Sequence, residues 1–356
     1  MFPSFSKTIS LKDRILFYES VANLLEGWVT LLWALKWLLS RVHSGSLHDI
    51  LEHTIFFIES GDSLNTAMRK FPDFYHEKEV AIIESGEQTG MLKKSFQAIA
   101  EELRMQEDLR RRVVGALTYP FIIITFLIIA LTIVMTYVVP AIIPLITETN
   151  NTPGLSTRSL IWVSNILRNH IVLIIIVLIA GGLIFHWYTM TDPGKRWLDK
   201  TKIYIPIFGN VYKNYLLVQV MSTYYLLSTS WVSIVKTLRL TGASSGNMEV
   251  SEMYAYIASE ISKWKKISES MFDIDKEWLF FSSDIIQMIE SAEKTSTVGE
   301  ISKKISEQYH REVDASLAVM VKLIEPIALL MAGIFVMWFA LAIFSSIMQV
   351  ADIANV

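Results

Sequence analysis

The sequence predicts an all-α, polytopic membrane protein with two homologous cytosolic helical-bundle domains and three transmembrane helices. Three observations support this prediction: long uncharged apolar runs, helix-period apolar patterning between them, and an internal repeat. Of the 356 residues, 52% are hydrophobic and 19% are charged, whereas about 25% of residues are charged in soluble domains. This balance indicates soluble domains joined to a small number of membrane spans.

The apolar runs predict the three spans. Residues 113–147, 169–191 and 326–351 contain no Asp, Glu, Lys or Arg. A helix of about 20 apolar residues crosses the hydrocarbon core of a bilayer, so each run is long enough for one span. The predicted transmembrane helices are 118–146, 170–191 and 324–350.

Basic residues near the spans predict the orientation. They cluster before the first span, after the second and before the third, whereas 147–169 has only two and the tail 351–356 has none. Because Lys and Arg accumulate on cytosolic flanks, the domains 1–117 and 192–323 are expected in the cytosol. The loop 147–169 and the tail are expected outside. The N-terminus carries charges where a signal peptide needs an apolar core, so it is expected to stay cytosolic.

An internal repeat organises the chain. The phrase E-S-G-E-Q-T-G at 84–90 recurs as E-S-A-E-K-T-S at 290–296. The offset is 206 residues (290 − 84), and the same offset relates Pro120 to Pro326. Upstream, matching tryptophans differ by 203 (231 − 28). This pattern indicates a duplicated unit, a cytosolic helical domain followed by a membrane helix, with the second span joining the copies.

In each copy the repeated phrase predicts a turn between two helices. One helix is expected to end at Ser85, and Gly86 and Gly90 allow a tight reversal because glycine tolerates left-handed backbone conformations. Thr89, like Thr295 in the second copy, is expected to be the N-cap of a long helix that runs close to, or into, the membrane. The apolar stripe of that helix recurs at three- and four-residue steps: Leu92, Phe96, Ile99 and Leu103.

Prolines mark the predicted ends of the spans. Pro120 follows Tyr119 and Pro326 follows Glu325, and both prolines are expected in the first turn of a span helix, where a missing N–H costs little. Pro140 is expected to end the first span.

These motifs together resemble a known family. E-S-G-E-Q-T-G-M-L followed by T-Y-P, and P-I-F-G-N at 206–210 after D-P-G-K-R-W-L-D, resemble the signature of the inner-membrane platform proteins of type IV pilus and type II secretion machines. The similarity covers essentially the whole chain. The predicted membrane-boundary and structural residues are Tyr119, Pro120, Pro140, Pro206, Gly209, Glu325 and Pro326. Glu325 is expected to mark the membrane edge, with contact to a pilin or to a basic partner as the alternative.

The resemblance implies a homo-oligomer in the bacterial inner membrane, with a cytosolic N-terminus and a periplasmic C-terminus. It also implies three kinds of partner: a hexameric motor ATPase on the cytosolic side, the transmembrane segments of pilin or pseudopilin, and other inner-membrane assembly proteins. The second copy departs from the family pattern because Ala292 and Ser296 replace the two glycines. Its reversal is therefore expected to differ in geometry, and the two domains are not expected to have equal roles.

Each copy retains two glutamates in the phrase, for which three roles are open. The glutamates bind a basic patch of a partner, bind a cation, or stabilise the N-terminus of the helix that follows through their negative charge. Their retention in both copies favours a function. The predicted partner-binding residues are Glu84, Gly86, Glu87, Thr89, Gly90, Glu290 and Glu293.

The composition excludes several kinds of site. The absence of cysteine rules out disulfides, thiolate metal sites and cysteine nucleophiles. No G-x-x-x-x-G-K-[S/T] motif is present to hydrolyse a nucleotide, and a net charge of −3 predicts no nucleic-acid partner. We therefore predict no catalytic residue, no metal site and no cofactor, so that energy has to come from a partner.

Two further patterns are better explained by structure. G-D-S-L at 61–64 spells the nucleophile block of a lipase family, but such a serine needs a strand-to-helix turn, and Ser63 is expected to begin a helix. His43, His48 and His53 are five residues apart, so each lies about 140° round a helix from the last and they are not expected to share a metal.

The leading functional hypothesis is a platform for type IV pilus biogenesis, which links hexameric assembly or retraction ATPases to pilin insertion at the fibre base. The alternatives are a type II secretion platform that moves pseudopilins, a small membrane transporter component and a membrane-bound hydrolase. The uncharged runs disfavour a transporter, and the hydrolase rests on the G-D-S-L string alone.

Overall fold

The computed structural model describes residues 10–42, 45–141, 155–205, 208–276 and 280–354. Every regular element in these ranges is a helix, which confirms the all-α prediction. The chain divides into two compact units. The helical unit comprises Met1–Arg112 and Asp199–Ala315, and the span unit comprises Val113–Leu198 and Ser316–Val356.

The helices follow the repeat. The first copy contains α1 Leu11–Glu26, α2 Leu31–Arg41, α3 Ser46–Glu59, α4 Leu64–Met68, α5 Glu77–Thr89 and the start of α6 Leu92–Ile133. A π-helical turn, Val134–Val138, then α7 Leu155–Thr189 and α8 Asp192–Tyr204 come between the copies. The second copy contains α9 Phe208–Thr229, α10 Ile234–Ser244, α11 Met248–Ile261, α12 Ile267–Ile274, α13 Ser283–Thr295 and the start of α14 Val298–Ala354.

The helix boundaries reproduce both offsets of the internal repeat. The first residues of α2 and α10 differ by 203 (234 − 31), whereas those of α5 and α13 differ by 206 (283 − 77), as do those of α6 and α14 (298 − 92). The change of three residues is explained by α12, which has 8 residues where its counterpart α4 has 5. The duplication predicted from the sequence is therefore present in the fold.

Short polar residues begin several helices of the helical unit. Ser10, Thr30 and Ser63 precede α1, α2 and α4, and each side-chain oxygen accepts a hydrogen bond from the backbone N–H three residues later. An N-cap of this kind satisfies one of the amides that a helix leaves free at its start. The role predicted for Ser63 as a helix-start residue is confirmed.

The first copy packs around an aromatic core. Phe17 lies edge-on to Phe74, Tyr75 and Phe96, with ring centroids 5.4 to 6.0 Å apart. The predicted stripe of α6 faces this core, because Phe96, Ile99 and Leu103 are buried and Leu92 packs against it. The second copy completes the core with three leucines: Leu226, Leu227 and Leu240.

The long helices α6 and α14 run through the predicted starts of the first and third spans. Each is continuous, and Pro120 and Pro326 lie inside it rather than in the first turn of a separate span helix. The boundaries predicted at 117/118 and 323/324 therefore fall within single helices. A proline inside a helix removes one backbone hydrogen bond, a loss that transmembrane helices tolerate because neighbouring groups satisfy the freed carbonyl.

The span unit contains three helical stretches that are long and apolar enough to cross a membrane. They belong to α6, to α7 over Val172–Thr189, and to α14. Large apolar side chains along them are exposed, among them Phe121 at 71% and Leu329 at 67%. A continuous apolar surface of this kind fits a lipid environment rather than water.

The predicted loop 147–169 is helical over the part that the structure describes. Residues from Leu155 onwards form α7, which continues to Thr189 with one non-helical residue, His170 (φ −125°, ψ 16°). Pro140 lies one residue before residue 141, the last described residue of the first span, and its expected role at the end of that span stays a prediction. Pro206 lies outside the described residues.

Candidate functional site

The repeated phrase builds the same turn in both copies. Gly90 follows α5 in the left-handed conformation (φ 70°, ψ 18°), and Ser296 follows α13 in nearly the same one (φ 57°, ψ 29°). The next residue then donates its N–H back into the helix, from Met91 to Gly86 over 2.8 Å and from Thr297 to Ala292 over 2.9 Å. The expectation that the second reversal would differ in geometry was therefore wrong. Serine adopts a backbone conformation that glycine reaches with less strain.

The helix ends differ from the prediction by several residues. Gly86 lies inside α5, which ends at Thr89 rather than at Ser85. Thr89 and Thr295 are the last residues of their helices and not N-caps: the Thr89 hydroxyl donates to the carbonyl of Ser85 over 2.8 Å. The N-cap prediction was made because a threonine shortly before a helix start is typical of an N-cap. In the structure, the left-handed residues Gly90 and Ser296 lie between each threonine and the next helix.

Glu87 on α5 caps the start of α4, and Glu293 on α13 caps the start of α12. The carboxylate of Glu87 accepts the backbone N–H groups of Leu64 and Asn65, at 2.7 and 3.0 Å, at the start of α4. Glu293 accepts those of Ile267 and Ser268, at 2.5 and 3.1 Å, at the start of α12. Charged acceptors are favourable at a helix N-terminus. The prediction named the following helix, but the preceding one is capped.

Glu84 joins the two copies. Its Oε2 lies 2.9 Å from Nζ of Lys236 on α10 and 3.0 Å from Nη2 of Arg69. The hydrogen bond from Lys236, with the charges of Lys236 and Arg69, holds the pKa of the Glu84 carboxyl below its ordinary value, although partial burial opposes the shift. Glu84 is therefore engaged within the chain.

Glu290, the counterpart of Glu84, has a different environment. It is exposed, and the ion pair that the structure records for it is with Lys294 on its own helix, over 2.8 Å. The hydrogen bond from Lys294 lowers the pKa of the Glu290 carboxyl. An exposed pair within one helix contributes little to stability.

Gly86 is required by a close approach between α5 and α6. A Cβ at this position would lie 2.3 Å from Oγ of Ser95, and that hydroxyl donates to the carbonyl of Ile82 over 3.3 Å. The second copy has Ala292 at the position of Gly86 and Ile301 at the position of Ser95, both at the offset of 206. Gly86 therefore occurs in the copy that has Ser95, and Ala292 occurs in the copy that has Ile301 instead of a serine.

A cavity of about 590 Å³ lies beside the second turn. Its wall includes Ser228 and Gly299, whose counterparts in the first copy are Leu25 and Lys93 (228 − 203 and 299 − 206). Leu25 packs against the core of the first copy. Smaller side chains therefore line the end of the second bundle. Tyr224 forms part of the wall, and burial raises the pKa of its hydroxyl to about 12, with a smaller effect of Glu293.

The predicted boundary residues are not gathered into one site. Tyr119 and Glu325 are exposed on α6 and α14. Gly209 lies in the first turn of α9, where a Cβ would come within 2.1 Å of the carbonyl oxygen of Ile203. Gly209 therefore allows α9 to approach the end of α8, which is a structural role that the sequence motif alone did not specify.

The motifs for chemistry have structural explanations. The Ser63 hydroxyl lies 2.7 Å from that of Thr66 and serves the cap of α4. His48 and His53 each place Nδ1 against a backbone carbonyl, and His43 lies outside the described residues. Within the ranges that the structure covers, no group of three or more His, Asp or Glu is arranged to hold a metal ion.

Sequence reasoning missed the ionic residues that hold the first copy together. Arg14 on α1 pairs with Glu79 on α5, and both side chains are buried. The hydroxyl of Tyr18 donates to Glu79 over 2.9 Å. The signal was present in the repeat, because the counterparts of Arg14 and Glu79 are Leu217 and Ile285 (14 + 203 and 79 + 206). Apolar counterparts at both positions indicate that Arg14 and Glu79 occupy core positions of the repeat.

One family matches both copies of the repeat. The sequence model of the family described as type II secretion system (T2SS), protein F, matches residues 17–140 and 221–345. These ranges begin 204 residues apart (221 − 17), close to the offsets of the repeat. Each match contains one copy of the turn and continues into the long helix that follows it.

Several named proteins are similar to this chain over most of its length. The type IV pilus assembly protein PilC of Thermus thermophilus is 27% identical over 334 residues, which cover 94% of this chain and 81% of that protein. The PilC protein of Myxococcus xanthus is 24% identical and covers 96% and 81%. The type II secretion system protein F of Aeromonas hydrophila is 19% identical and covers 99% and 90%.

Proposed function

Because the chain belongs to the type II secretion system protein F family, we propose that it is the inner-membrane platform of a type IV pilus machine. The observation that carries this proposal is the similarity, over 94% and 96% of the chain, to proteins named for type IV pilus assembly. In this role the platform links a hexameric assembly or retraction ATPase to the insertion of pilin at the fibre base.

The platform is not an enzyme in this proposal. Without a nucleotide-binding motif in the sequence, the work of moving pilin has to come from the ATPase. The chain contributes binding surfaces: its cytosolic copies for the motor, its spans for the pilin transmembrane segment, and further contacts for other assembly proteins and for additional copies of itself.

The proposed topology has a cytosolic N-terminus, both copies in the cytosol and a periplasmic C-terminus. The distribution of Lys and Arg around the spans supports it. The cysteine-free chain allows a direct test with single cysteines at two exposed positions. In intact cells, an impermeant maleimide should label Arg158→Cys, and should label Gln287→Cys only after permeabilisation. Labelling of Gln287→Cys in intact cells would contradict the topology.

Of the two copies of the repeated turn, we propose that the second one binds the motor ATPase. Glu290 supports this choice because it is exposed and bonded only within its own helix in the described contacts, whereas Glu84 is held by Lys236 and Arg69. Glu290→Lys should lower the amount of motor ATPase that the detergent-solubilised chain retains. Glu307→Lys, an exposed carboxylate on α14, is the matched control. Equal retention by both variants would refute the assignment.

Deletion of the gene tests the function itself. A pilus platform predicts loss of surface fibres and their return on complementation. Relatives named for type II secretion are also similar over nearly the whole chain, so the second candidate is a secretion platform that moves pseudopilins. For that candidate, fibres would remain while secreted proteins accumulate in the periplasm. Retention of both fibres and secretion would refute the platform role.

A further inference from the structure

Residues 155–169 form a helix that contacts the first and the third span. We call residues 155–169, the part of α7 before the non-helical residue His170, the strap helix. Thr157, Leu160 and Ser164 are buried on it, at spacings of three and four residues that define one helix face. Arg158 and Trp162 are exposed. The strap helix is therefore packed on one side.

The buried face donates hydroxyl hydrogen bonds to two different helices. The Ser164 hydroxyl donates to the carbonyl of Met135, over 2.6 Å, in the π-helical turn after α6. The Thr157 hydroxyl donates to the carbonyl of Ala342 in α14, over 2.8 Å. Both donors are fully buried. Met135 and Ala342 occupy nearly equivalent positions in the two repeats, because 135 + 206 is 341.

Apolar contacts accompany these hydrogen bonds. Met135, Val139, Leu160 and Ala342 form one buried cluster. Phe335, Trp338 and Phe339 of α14 pack against it, and the indole N–H of Trp338 donates to the Ser159 hydroxyl over 3.3 Å. The strap helix thus lies between the spans contributed by the two copies and contacts both.

Pro140 explains why the Met135 carbonyl is available. In the π-helical turn each N–H bonds to the carbonyl five residues before it, as Val139 does to Val134. In this pattern the N–H of residue 140 would donate to the carbonyl of Met135, but residue 140 is a proline and has no N–H. The carbonyl of Met135 is buried with its residue, where an unsatisfied acceptor is costly. The Ser164 hydroxyl supplies the missing donor.

We propose that the strap helix is a permanent brace between the first and third spans, and that Pro140 creates the acceptor to which it is bound through Ser164. The brace holds the two repeat-derived spans at a fixed separation at this level. In Val172–Thr189, after His170, none of the residues whose burial the structure describes is buried in the chain. The second span is therefore outside the braced pair. This proposal does not depend on which machine the platform serves.

A double-mutant cycle tests the link between Pro140 and Ser164. In the full chain in detergent, Ser164→Ala should lower the thermal midpoint by several degrees, because the Met135 carbonyl loses its donor. In a Pro140→Ala background the backbone N–H at 140 can replace that donor, so Ser164→Ala should then have little effect. Thr132→Ala is the matched control, since that hydroxyl bonds within its own helix, to Ile128 over 2.8 Å. An equal loss in both backgrounds would overturn the proposal.

Disulfide cross-linking tests permanence. Thr157→Cys with Ala342→Cys should form a disulfide in high yield in membranes, whereas Arg158→Cys with Ala342→Cys should not, because Arg158 is on the exposed face. A permanent brace predicts that the oxidised Thr157→Cys/Ala342→Cys chain supports as many surface fibres, or as much secretion, as its reduced form. Loss of activity on oxidation that a reductant restores would show that the strap has to open, and would overturn the proposal.

Discussion

Helices α5 and α13 carry the same phrase, yet they have different environments. Helix α5 has almost no free face, since Ala81 and Ile82 are buried and Glu84 contacts the second copy through Lys236. At the matching positions of α13, Gln287 and Glu290 are exposed and Met288 is only partly buried. Glu84, at the start of the first phrase, lies at the contact between the repeats, whereas Glu290, at the start of the second, is exposed.

This difference separates two kinds of similarity between the copies. The turn geometry and the caps made by Glu87 and Glu293 are common to both, so they follow from the fold of a single copy. The surroundings of Glu84 and Glu290 differ because Glu84 contacts Lys236 of the second copy, whereas the ion pair described for Glu290 is with Lys294 of its own helix. A duplicated sequence therefore predicts equal local structure without predicting equal exposure.

The largest expected effect comes from the buried ion pair of the first copy. Arg14→Ala should destabilise the chain by about 3–5 kcal/mol, because it leaves the Glu79 carboxylate buried without its cation. The thermal unfolding midpoint in detergent measures this loss. The second copy has Leu217, Met221 and Ile285 at the positions of Arg14, Tyr18 and Glu79.

The second copy therefore supplies the control for that prediction. The triple variant Arg14→Leu/Tyr18→Met/Glu79→Ile should recover most of the lost midpoint, since apolar residues of similar volume can replace a buried ion pair without loss. A triple variant as unstable as Arg14→Ala would show that the two cores are not interchangeable.

Charge reversal compares the two outer glutamates directly. Glu84→Lys should cost about 1 kcal/mol, because it breaks two partly exposed ion pairs and adds a third cation beside Lys236 and Arg69. Glu290→Lys should leave the thermal midpoint unchanged, since its partner Lys294 is exposed on the same helix. If the two variants lowered the midpoint equally, α5 and α13 would not differ as described.

The capping glutamates should behave alike. Glu87→Ala and Glu293→Ala should each cost about 1–2 kcal/mol, because each removes the acceptor for two amides at a helix start. Glu87→Gln and Glu293→Gln retain an acceptor oxygen and should cost less. Midpoints that fall in one copy only would contradict the shared role of these residues.

The smallest expected effect concerns the turn itself. Ser296→Gly should stabilise the chain by about 0.5–1 kcal/mol, since glycine adopts the left-handed conformation at less cost than serine. Gly90→Ser should lower stability by a similar amount. Opposite shifts of the midpoint are the expected result, and shifts of the same sign would contradict the equivalence of the two turns.

Much of the fold was predictable because it depends on local patterns. The uncharged runs predicted the spans, the 206-residue offset predicted the duplication, and the apolar stripe of α6 predicted its buried face. The ends of helices were harder. Pro120 and Pro326 were expected at helix starts, but α6 and α14 continue through both prolines.

The candidate site was predictable in its location but not in its contacts. Which glutamate caps a helix and which joins the copies depends on residues far away in the chain, such as Leu64 and Lys236. The strap helix was missed for the same reason. Its buried face is visible only once Ser164 and Thr157 are placed against the carbonyls of Met135 and Ala342.

The accessibility of two matched positions tests the central contrast most directly. Ala81 and Gln287 differ by 206 residues, and Ala81 lies three residues before Glu84 as Gln287 lies three before Glu290. In the purified cysteine-free chain, Gln287→Cys should react with a soluble maleimide at the rate of a free thiol, while Ala81→Cys should be strongly protected until the chain unfolds. Equal reaction rates at the two positions in the folded chain would contradict the covered first copy and the outward-facing second copy.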